Sequence, residues 1–272
     1  MLRFDVPVIS ASGLPASIQS ARVVAIVPAR YASTRLPGKA LAMIAGKPMI
    51  EHVYRRASDA SRVNAVVVAT DDQRIADAVT AFGGLAVMTS AAHRTGTDRL
   101  AEVAASLSSD IIVNVQGDEP LIDATAIDAC VRALLDHPDD VMSTVRRRLE
   151  DDEANNPAVV KVVVDRDDHA LYFSRSPLPF RRGSSGGVED HSALQAPRWA
   201  HLGLYGYRRS FLLTLASLAA TPLERSESLE QLRVLEHGYR IRCVETASFS
   251  LGVDTPDDLA RIRQLLGEKV NQ

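Results

Sequence analysis

The sequence predicts an α/β fold with a doubly wound, mostly parallel sheet, and two kinds of segment support this prediction. Short apolar runs rich in β-branched residues occur at residues 23–27, 65–70 and 111–116, and such runs are typical of strands buried on both faces. Between them, residues 49–57 and 75–79 carry apolar side chains at helical spacing. Alternation of buried strands with helices indicates parallel strands joined by crossover helices.

Prolines and aspartates mark element boundaries in the first half of the chain. We expect Pro28 to end the first strand and Pro48 to occupy the first position of a helix. Asp71 and Asp72 suit the start of the next helix. Strands are predicted at residues 23–27, 65–70, 85–88 and 111–116, with a short strand and turn at 42–46 and a further helix at 100–107.

The pattern loosens from about residue 140. Residues 174–199 are rich in proline, glycine and charge and predict a long loop. Two helices are predicted between the last two strands, and the final helix has Thr255 as its cap, Pro256 at its first position and Asp258 completing a capping box. The strands of this half are predicted at residues 141–145, 159–164, 170–173, 201–207 and 241–244.

Composition limits the class of protein. The formal net charge of −3 argues against a general nucleic-acid binder, and no apolar run approaches the roughly 20 residues that span a bilayer. Cys130 and Cys243 lie among apolar neighbours and are expected to be reduced core residues of a cytosolic protein. We therefore expect a cytoplasmic protein with neither nucleic acid nor membrane as a partner.

The chain is expected to form a single domain over residues 22–270, with a smaller mixed lobe at about 140–240. Residues 1–21 lack the pattern of a signal peptide and predict a loose N-terminal extension. This extension and residues 181–198 offer few apolar anchors, so both are expected to exchange amide protons quickly.

A cationic loop follows the first strand and carries Arg30, Arg35 and Lys39, with Ser33 between them. Ligands of open α/β sheets bind just beyond the carboxyl ends of the strands, and arginine, lysine and backbone N–H groups there suit a polyanion such as a triphosphate. Taken alone, such a loop is often only solvated surface; its position favours a ligand site. It matches neither G-x-x-x-x-G-K-[ST] nor G-x-G-x-x-G.

Two aspartates are candidate magnesium ligands. Asp118 directly follows the strand at residues 111–116, and Asp254 precedes the final helix. Mg²⁺ in nucleotide sites takes one or two carboxylates together with phosphate oxygens. A turn or cap role would also explain Asp118, and a helix N-cap would equally explain Asp254. The neighbouring Glu119 is given no ligand role.

Three polar segments could contact a second substrate. In HRTGTDR, His93 and Arg99 could reach it, although a helix start capped by Thr97 explains the same residues. In HLGLYGY, His201 and Tyr205 point to one face of a strand, which taken alone more often reflects packing. In LEQLRVLEHG, two polar residues would ordinarily lie on a solvated helix face, namely Glu230 and Gln231.

These motifs together resemble the sugar-activating nucleotidyltransferases, and within them the family that activates 3-deoxy-manno-octulosonate (Kdo) with CTP. The resemblance runs from about residue 23 to residue 262 and departs at residues 247–250, which read ASFS where family members often carry proline and glycine. The matching strings, in chain order, are PARYASTRLPGK, HRTGTDR, VNVQGDEP, HLGLYGY, LEQLRVLEHG and LGVDTPDDL.

The resemblance implies a Rossmann-like fold of the nucleotide-diphospho-sugar transferase type, Mg²⁺ as cofactor, a homodimer, and synthesis of CMP-Kdo and pyrophosphate for lipopolysaccharide. It assigns catalysis to Arg35, Lys39, Asp118 and Asp254, the last two as metal ligands. Nucleotide binding falls to Ala29, Arg30, Ser33, Arg35, Lys39, Gln116 and Asp118. Sugar-acid binding falls to Arg99, Gln116, His201, Tyr205, Glu230 and Gln231.

Two other interpretations stay open at this point. A related nucleotidyltransferase, such as CMP-sialate synthetase or a sugar-phosphate uridylyltransferase, would share most of these motifs. A non-catalytic nucleotide-binding module would need the cations but not a two-carboxylate metal site, so the presence of both Asp118 and Asp254 argues against it.

Overall fold

The computed structural model describes residues 8–32, 35–180, 196–248 and 250–267. Ten strands within these residues form one mixed sheet, and two short strands form a separate hairpin. The strands are β1 Ile9–Ser10, β2 Val23–Ala29, β3 Met43–Ile44, β4 Lys47–Pro48, β5 Ala65–Thr70, β6 Ala86–Met88, β7 Ile111–Asn114, β8 Met142–Arg148, β9 Lys161–Val164, β10 Ala170–Ser174, β11 Trp199–Arg208 and β12 Arg242–Glu245.

Helices pack on both faces of this sheet. Three short 3₁₀ turns also occur in the described residues, one of which, Lys39–Leu41, belongs to the cationic loop. The helices are α1 Ala16–Gln19, α2 Met49–Ser58, α3 Gln73–Ala81, α4 Gly96–Ala105, α5 Ala124–Asp136, α6 Arg209–Ser217, α7 Pro222–Glu227, α8 Gln231–Glu236 and α9 Pro256–Leu265. None of the helices in the described ranges is both long and apolar enough to cross a membrane.

The strand order is β1-β6-β5-β2-β7-β11-β8-β12, with β9 paired to β11 and β10 to β9. The first five of these strands are parallel, β11 is antiparallel to both β7 and β8, and β12 is parallel to β8. The prediction of a mostly parallel, doubly wound sheet is confirmed. The predicted smaller lobe contributes its strands to the same sheet, and the division of the chain into domains stays a prediction.

Burial on both faces of the sheet explains why the sequence of β2 is a continuous apolar run. Val24 and Ile26 join the hydrophobic cluster on one face of the sheet, and Val23, Ala25 and Val27 join the cluster on the other. Successive strand residues point to opposite faces, so a central strand covered on both faces needs apolar side chains throughout. Cys130 and Cys243 are buried free thiols, as predicted.

Two predictions about the N-terminal region were wrong. Residues 8–21 are not a loose extension, because β1 pairs with β6 and Ala11 and Leu14 are buried in the core. Residues 1–7 lie outside the described ranges. Pro28 does not end β2, because the strand continues to Ala29. A proline is tolerated there because β7 pairs with β2 only as far as Ile26. Pro28 therefore has β5 as its one partner strand.

Other element boundaries were also misplaced. Helix α5 was not predicted, and three helices rather than two lie between β11 and β12. Pro48 is the N-cap of α2 rather than its first residue. The described parts of the predicted long loop, 175–180 and 196–198, contain neither helix nor strand, and residues 181–195, for which fast exchange was predicted, lie outside the described ranges.

Candidate active site

A cleft of about 520 Å³ opens at the carboxyl ends of β2 and β7. We call it the main cleft. It contains most of the charged residues that the sequence singled out, which are far apart along the chain. Its lining residues are Pro28, Ala29, Arg30, Ala32, Arg35, Lys39, Ala40, His93, Thr95, Gly96, Arg99, Gln116, Gly117, Asp118 and Asp254.

Lys39 lies between the two candidate metal ligands. Its Nζ atom donates to Asp118 Oδ2 at 2.5 Å and to Asp254 Oδ1 at 3.1 Å. Burial alone would lower the pKa of Lys39, but the two carboxylates outweigh it and raise that pKa. The two aspartates therefore converge on one cation, although 136 positions separate them in the sequence.

Backbone hydrogen bonds hold the two aspartate loops together. The Val253 N–H donates to the Asp118 carbonyl at 2.9 Å. The cap of α9 is Thr255, whose hydroxyl accepts from the Asp258 N–H in a complete capping box. Asp254 is therefore not the helix cap, and its carboxylate is left to face Lys39 and, at 2.9 Å, Arg35.

Sequence reasoning did not single out Gly117. A Cβ atom at this position would lie 2.6 Å from the Pro28 carbonyl oxygen, which is closer than real Cβ contacts allow. The chain leaving β7 thus passes directly against the chain leaving β2. Glycine at a strand end is a sequence signal for such a close approach, and this approach brings Asp118 beside the cationic loop.

The remaining nucleotide-binding candidates lie in or near the main cleft. Ala29 and Arg30 line it, and Ser33 lies outside the described residues. Gln116 also lines it and donates from Nε2 to the Gly203 carbonyl at 3.2 Å. This bond joins the segment that follows β7 to β11, the strand that pairs with β7.

Arg99 lines the main cleft but is already paired. Its guanidinium donates to Asp71 Oδ2 at 2.8 Å and to Thr89 Oγ1 at 2.5 Å, and its side chain is 5% exposed. His93 lies against Glu102. The cap of α4 is Thr95 rather than Thr97, so the capping role considered for Thr97 was wrong.

Thr97 instead contacts a second region of polar residues. Its hydroxyl donates to Glu230 Oε2 at 2.6 Å. Glu230 lines a separate cavity of only about 20 Å³, which we call the second cavity. The residues around it are Met142, Tyr205, Tyr207, Leu215, Glu230, Gln231 and Val234.

His201 packs behind the second cavity. Its ring contacts Phe173 and Tyr205, with centroids 4.8 and 5.4 Å away, so His201 and Tyr205 share a face. His201 Nε2 lies 2.9 Å from Thr144 Oγ1, and that hydroxyl lies 2.8 Å from the Leu204 carbonyl. The Thr144 hydroxyl has one hydrogen, which it donates to the Leu204 carbonyl, so it accepts from His201 Nε2. Nε2 is therefore the donor of the ring, and Nδ1 is an acceptor. Burial lowers the pKa of His201 to about 3.

Glu119 and the unusual ASFS segment meet beside the main cleft. Ser250 donates to Glu119 Oε2 at 2.6 Å, and Ser248 donates to Asp123 Oδ2 at 3.0 Å. Burial raises the pKa of Glu119 to about 7, against the opposing hydrogen bond from Ser250. Side chains of the segment therefore tie the Asp254 loop to the loop that carries Asp118, although proline and glycine are absent.

Comparisons with known proteins place this chain in a family. Residues 24–241 match the family model of the cytidylyltransferases. The chain therefore belongs to the cytidylyltransferase family, as the sequence motifs predicted.

Its relatives carry a more particular name. A 3-deoxy-manno-octulosonate cytidylyltransferase of Pelobacter propionicus is 57% identical over 245 residues, covering 89% of this chain and 96% of the relative. One from Geobacter metallireducens is 55% identical over 248 residues, covering 90% and 98%.

Solved structures agree in fold. The structure of CMP:2-keto-3-deoxy-manno-octonic acid synthetase complexed with CTP is 44% identical, with a TM-score of 0.84 over 92% of this chain and all of that one. A glucose-1-phosphate thymidylyltransferase from Bacillus anthracis, described as putative, shares the fold at 16% identity and a TM-score of 0.62, over 92% of this chain and 97% of that one. The predicted nucleotide-diphospho-sugar transferase fold is confirmed.

Proposed function

We propose that this chain is a 3-deoxy-manno-octulosonate cytidylyltransferase, which converts CTP and Kdo to CMP-Kdo and pyrophosphate. The observation that carries the proposal is the convergence of Arg35, Lys39, Asp118 and Asp254 on one cleft at the carboxyl edge of the sheet. The choice of CTP and Kdo is supported by the names of relatives that match most of the chain.

The proposed reaction is a nucleotidyl transfer. The anomeric hydroxyl of the sugar acid attacks the α-phosphorus of CTP and releases its proton to solvent, a new P–O bond forms, and the bond to pyrophosphate breaks. Arg35 and Lys39 supply positive charge for the triphosphate, and arginine can contact phosphate through two donors. Most of the acceleration then comes from positioning and from stabilisation of developing charge, as in phosphoryl transfer generally.

The two aspartates suit Mg²⁺. Asp118 and Asp254 already place one oxygen each around a single cation, the Lys39 ammonium, and two carboxylates with phosphate oxygens and waters are an ordinary Mg²⁺ ligand set. When bound, the metal would neutralise charge on the phosphates. Lys39, which lies between the two carboxylates, provides positive charge for the triphosphate.

The sugar acid is assigned to the side of the cleft that faces the second cavity. Thr97 lies on the same helix as the cleft residues Gly96 and Arg99, and it contacts Glu230, which lines the second cavity. In this proposal His201 Nδ1, Tyr205, Glu230 and Gln231 provide hydrogen-bonding groups for hydroxyls of Kdo. Arg99 binds the carboxylate of Kdo while its guanidinium also donates to Asp71.

We also propose the cellular setting that the sequence predicted: lipopolysaccharide precursor synthesis in the cytoplasm by a homodimer. Among the described strands β10 pairs only with β9, and its Leu171 is 62% exposed. Phe180, further along, is 87% exposed. Exposed apolar side chains on an edge strand and on the segment that follows it support a protein contact in this region, and light scattering after gel filtration would measure the mass of the particle.

The activity is tested by pyrophosphate release. CTP with Kdo and Mg²⁺ should give rapid release, whereas UTP with Kdo and CTP with sialic acid should give little. Faster turnover with sialic acid would reassign the enzyme to the neighbouring sialate family. CTP binding without any turnover would indicate a nucleotide-binding module.

A further inference from the structure

The two ends of the cationic loop are joined at Tyr31, a residue that none of the assignments above uses. The Gly38 N–H donates to the Tyr31 carbonyl at 3.0 Å. This bond joins the two ends of the loop, with Arg30 and Ala32 on one side and Lys39 on the other. Tyr31 thus lies between lining residues of the main cleft.

The ring of Tyr31 is held on two sides. Gly38 lies against it: a Cβ atom there would be 3.0 Å from Cε2 and 3.1 Å from Cζ of the ring. Gly38 also has φ +69, the left-handed conformation that glycine tolerates best. Any side chain at position 38 would therefore push the ring away and strain the backbone just before Lys39.

Arg74 lies on the same ring. Its guanidinium carbon is 3.3 Å from the ring centroid, and its orientation is fixed by two hydrogen bonds to Asp72, at 2.9 and 2.7 Å. Asp72 is in turn the N-cap of α3. The ring therefore ties the loop to a helix that begins next to β5, and guanidinium–aromatic contacts of this kind are attractive.

We propose that Tyr31 is a positioning residue for triphosphate binding. Its ring, held between Gly38 and Arg74, fixes the two ends of the cationic loop so that Lys39 and Arg35 face the main cleft. The proposal rests on the proposed function, because it requires that these cations bind the triphosphate. It needs the ring rather than the hydroxyl, for which no hydrogen bond to a described residue is found.

The test compares Tyr31→Leu with Tyr31→Phe by calorimetry, using CTP, CMP and inorganic triphosphate as ligands. Tyr31→Leu should weaken CTP and inorganic triphosphate about tenfold and CMP less than threefold, because the displaced cations are proposed to bind the triphosphate and CMP has a single phosphate. Tyr31→Phe should stay within twofold of the parent protein for all three ligands. In turnover, Tyr31→Leu should raise KM for CTP more than it lowers kcat.

A matched control is Phe82→Leu. Phe82 and Tyr31 are both half-buried against the core cluster that contains Val27. Phe82 also lies beside an arginine, with the Arg55 guanidinium 6.0 Å from its ring. It does not line the main cleft. Phe82→Leu should lower Tm while leaving CTP binding unchanged.

Three results would overturn the inference: unchanged CTP affinity in Tyr31→Leu, equal losses for CTP and CMP, or a fall in Tm and kcat with KM for CTP unchanged. Absence of CTP binding by the parent protein would instead overturn the proposed function. The two failures are therefore distinguished in one set of titrations.

Discussion

The main cleft and the second cavity differ in how exposed their charged and polar groups are. In the main cleft, cations and carboxylates face each other across an open space of about 520 Å³, and the Arg35 side chain is 65% exposed. Around the second cavity, whose volume is about 20 Å³, polar groups are packed against aromatic rings. There burial raises the pKa values of Glu230 and Tyr205 above their ordinary values.

Under the proposed function, the two regions would contact different substrates. A triphosphate brings several negative charges and requires fixed positive charges around it. In the main cleft these charges are Arg35 and Lys39. A sugar acid brings many hydroxyls and requires directed hydrogen-bond donors and acceptors, which are stronger when water is excluded. Each prediction below tests whether the two regions keep these separate roles.

The largest effect is expected in the main cleft from Asp118→Asn and Asp254→Asn. Each keeps the shape of the side chain but removes a charge from the proposed metal site, so kcat should fall by orders of magnitude while Kd for CTP changes much less. Pyrophosphate release in saturating Mg²⁺ and calorimetry with CTP measure the two quantities. Asp128→Asn is a suitable control, since Asp128 binds Ser61 and Arg62 away from the cleft. Near-normal kcat for Asp254→Asn would reduce Asp254 to a partner of Arg35.

A smaller effect is expected from the cations, and it should differ between them. Lys39 is 19% exposed and meets two carboxylates, so Lys39→Ala should weaken CTP binding roughly 10- to 100-fold, the equivalent of about 1.5–3 kcal/mol. Arg35 is more exposed, so water and salt screen it and Arg35→Ala should cost several-fold. Calorimetry in low salt would measure both, with exposed Lys47→Ala as the control. Unchanged CTP affinity in both variants would place the triphosphate elsewhere, and equal losses would contradict the expected difference between the two cations.

The second region should respond to the sugar acid and not to the nucleotide. Glu230→Gln changes the acceptor that Thr97 contacts and should raise KM for Kdo about tenfold, as expected for one hydrogen bond to a charged group. Kd for CTP should stay within twofold. Glu236→Gln, on the exposed side of the same helix, should change neither. A loss of CTP affinity in Glu230→Gln would show that the two regions are not separate.

The smallest effect concerns stability, and its sign follows from His201. The pKa of His201 is about 3 in the folded protein, against an ordinary value of about 6.5. Below pH 6.5 the unfolded chain therefore binds a proton that the folded chain does not, and stability is lost as the pH falls toward 3. Between pH 6.5 and pH 5 this loss should be about 2 kcal/mol. Urea unfolding of the parent protein and of His201→Gln would show it as a difference in pH slope, and parallel slopes would contradict it.

Local patterns predicted much of this protein because they depend on neighbours in the sequence. The capping box of α9 and the two-faced burial of β2 are examples. Helix α5 was missed although its N-cap, Asp123, accepts from Thr125 in the ordinary way. The end of β2 was misjudged because the pairing of Pro28 depends on where β7 stops.

The sequence by itself determined which chemical groups the site contains: cations after β2, and a carboxylate after β7 and before α9. Only the tertiary structure decided how they meet. Lys39 contacts Asp118 and Asp254, which are 79 and 215 positions away, and Arg99 contacts Asp71 rather than open solvent. Ion pairs between distant residues depend on the order of strands in the sheet and on close approaches such as that of Gly117 to Pro28. Side-chain type and local spacing carry no record of these distances.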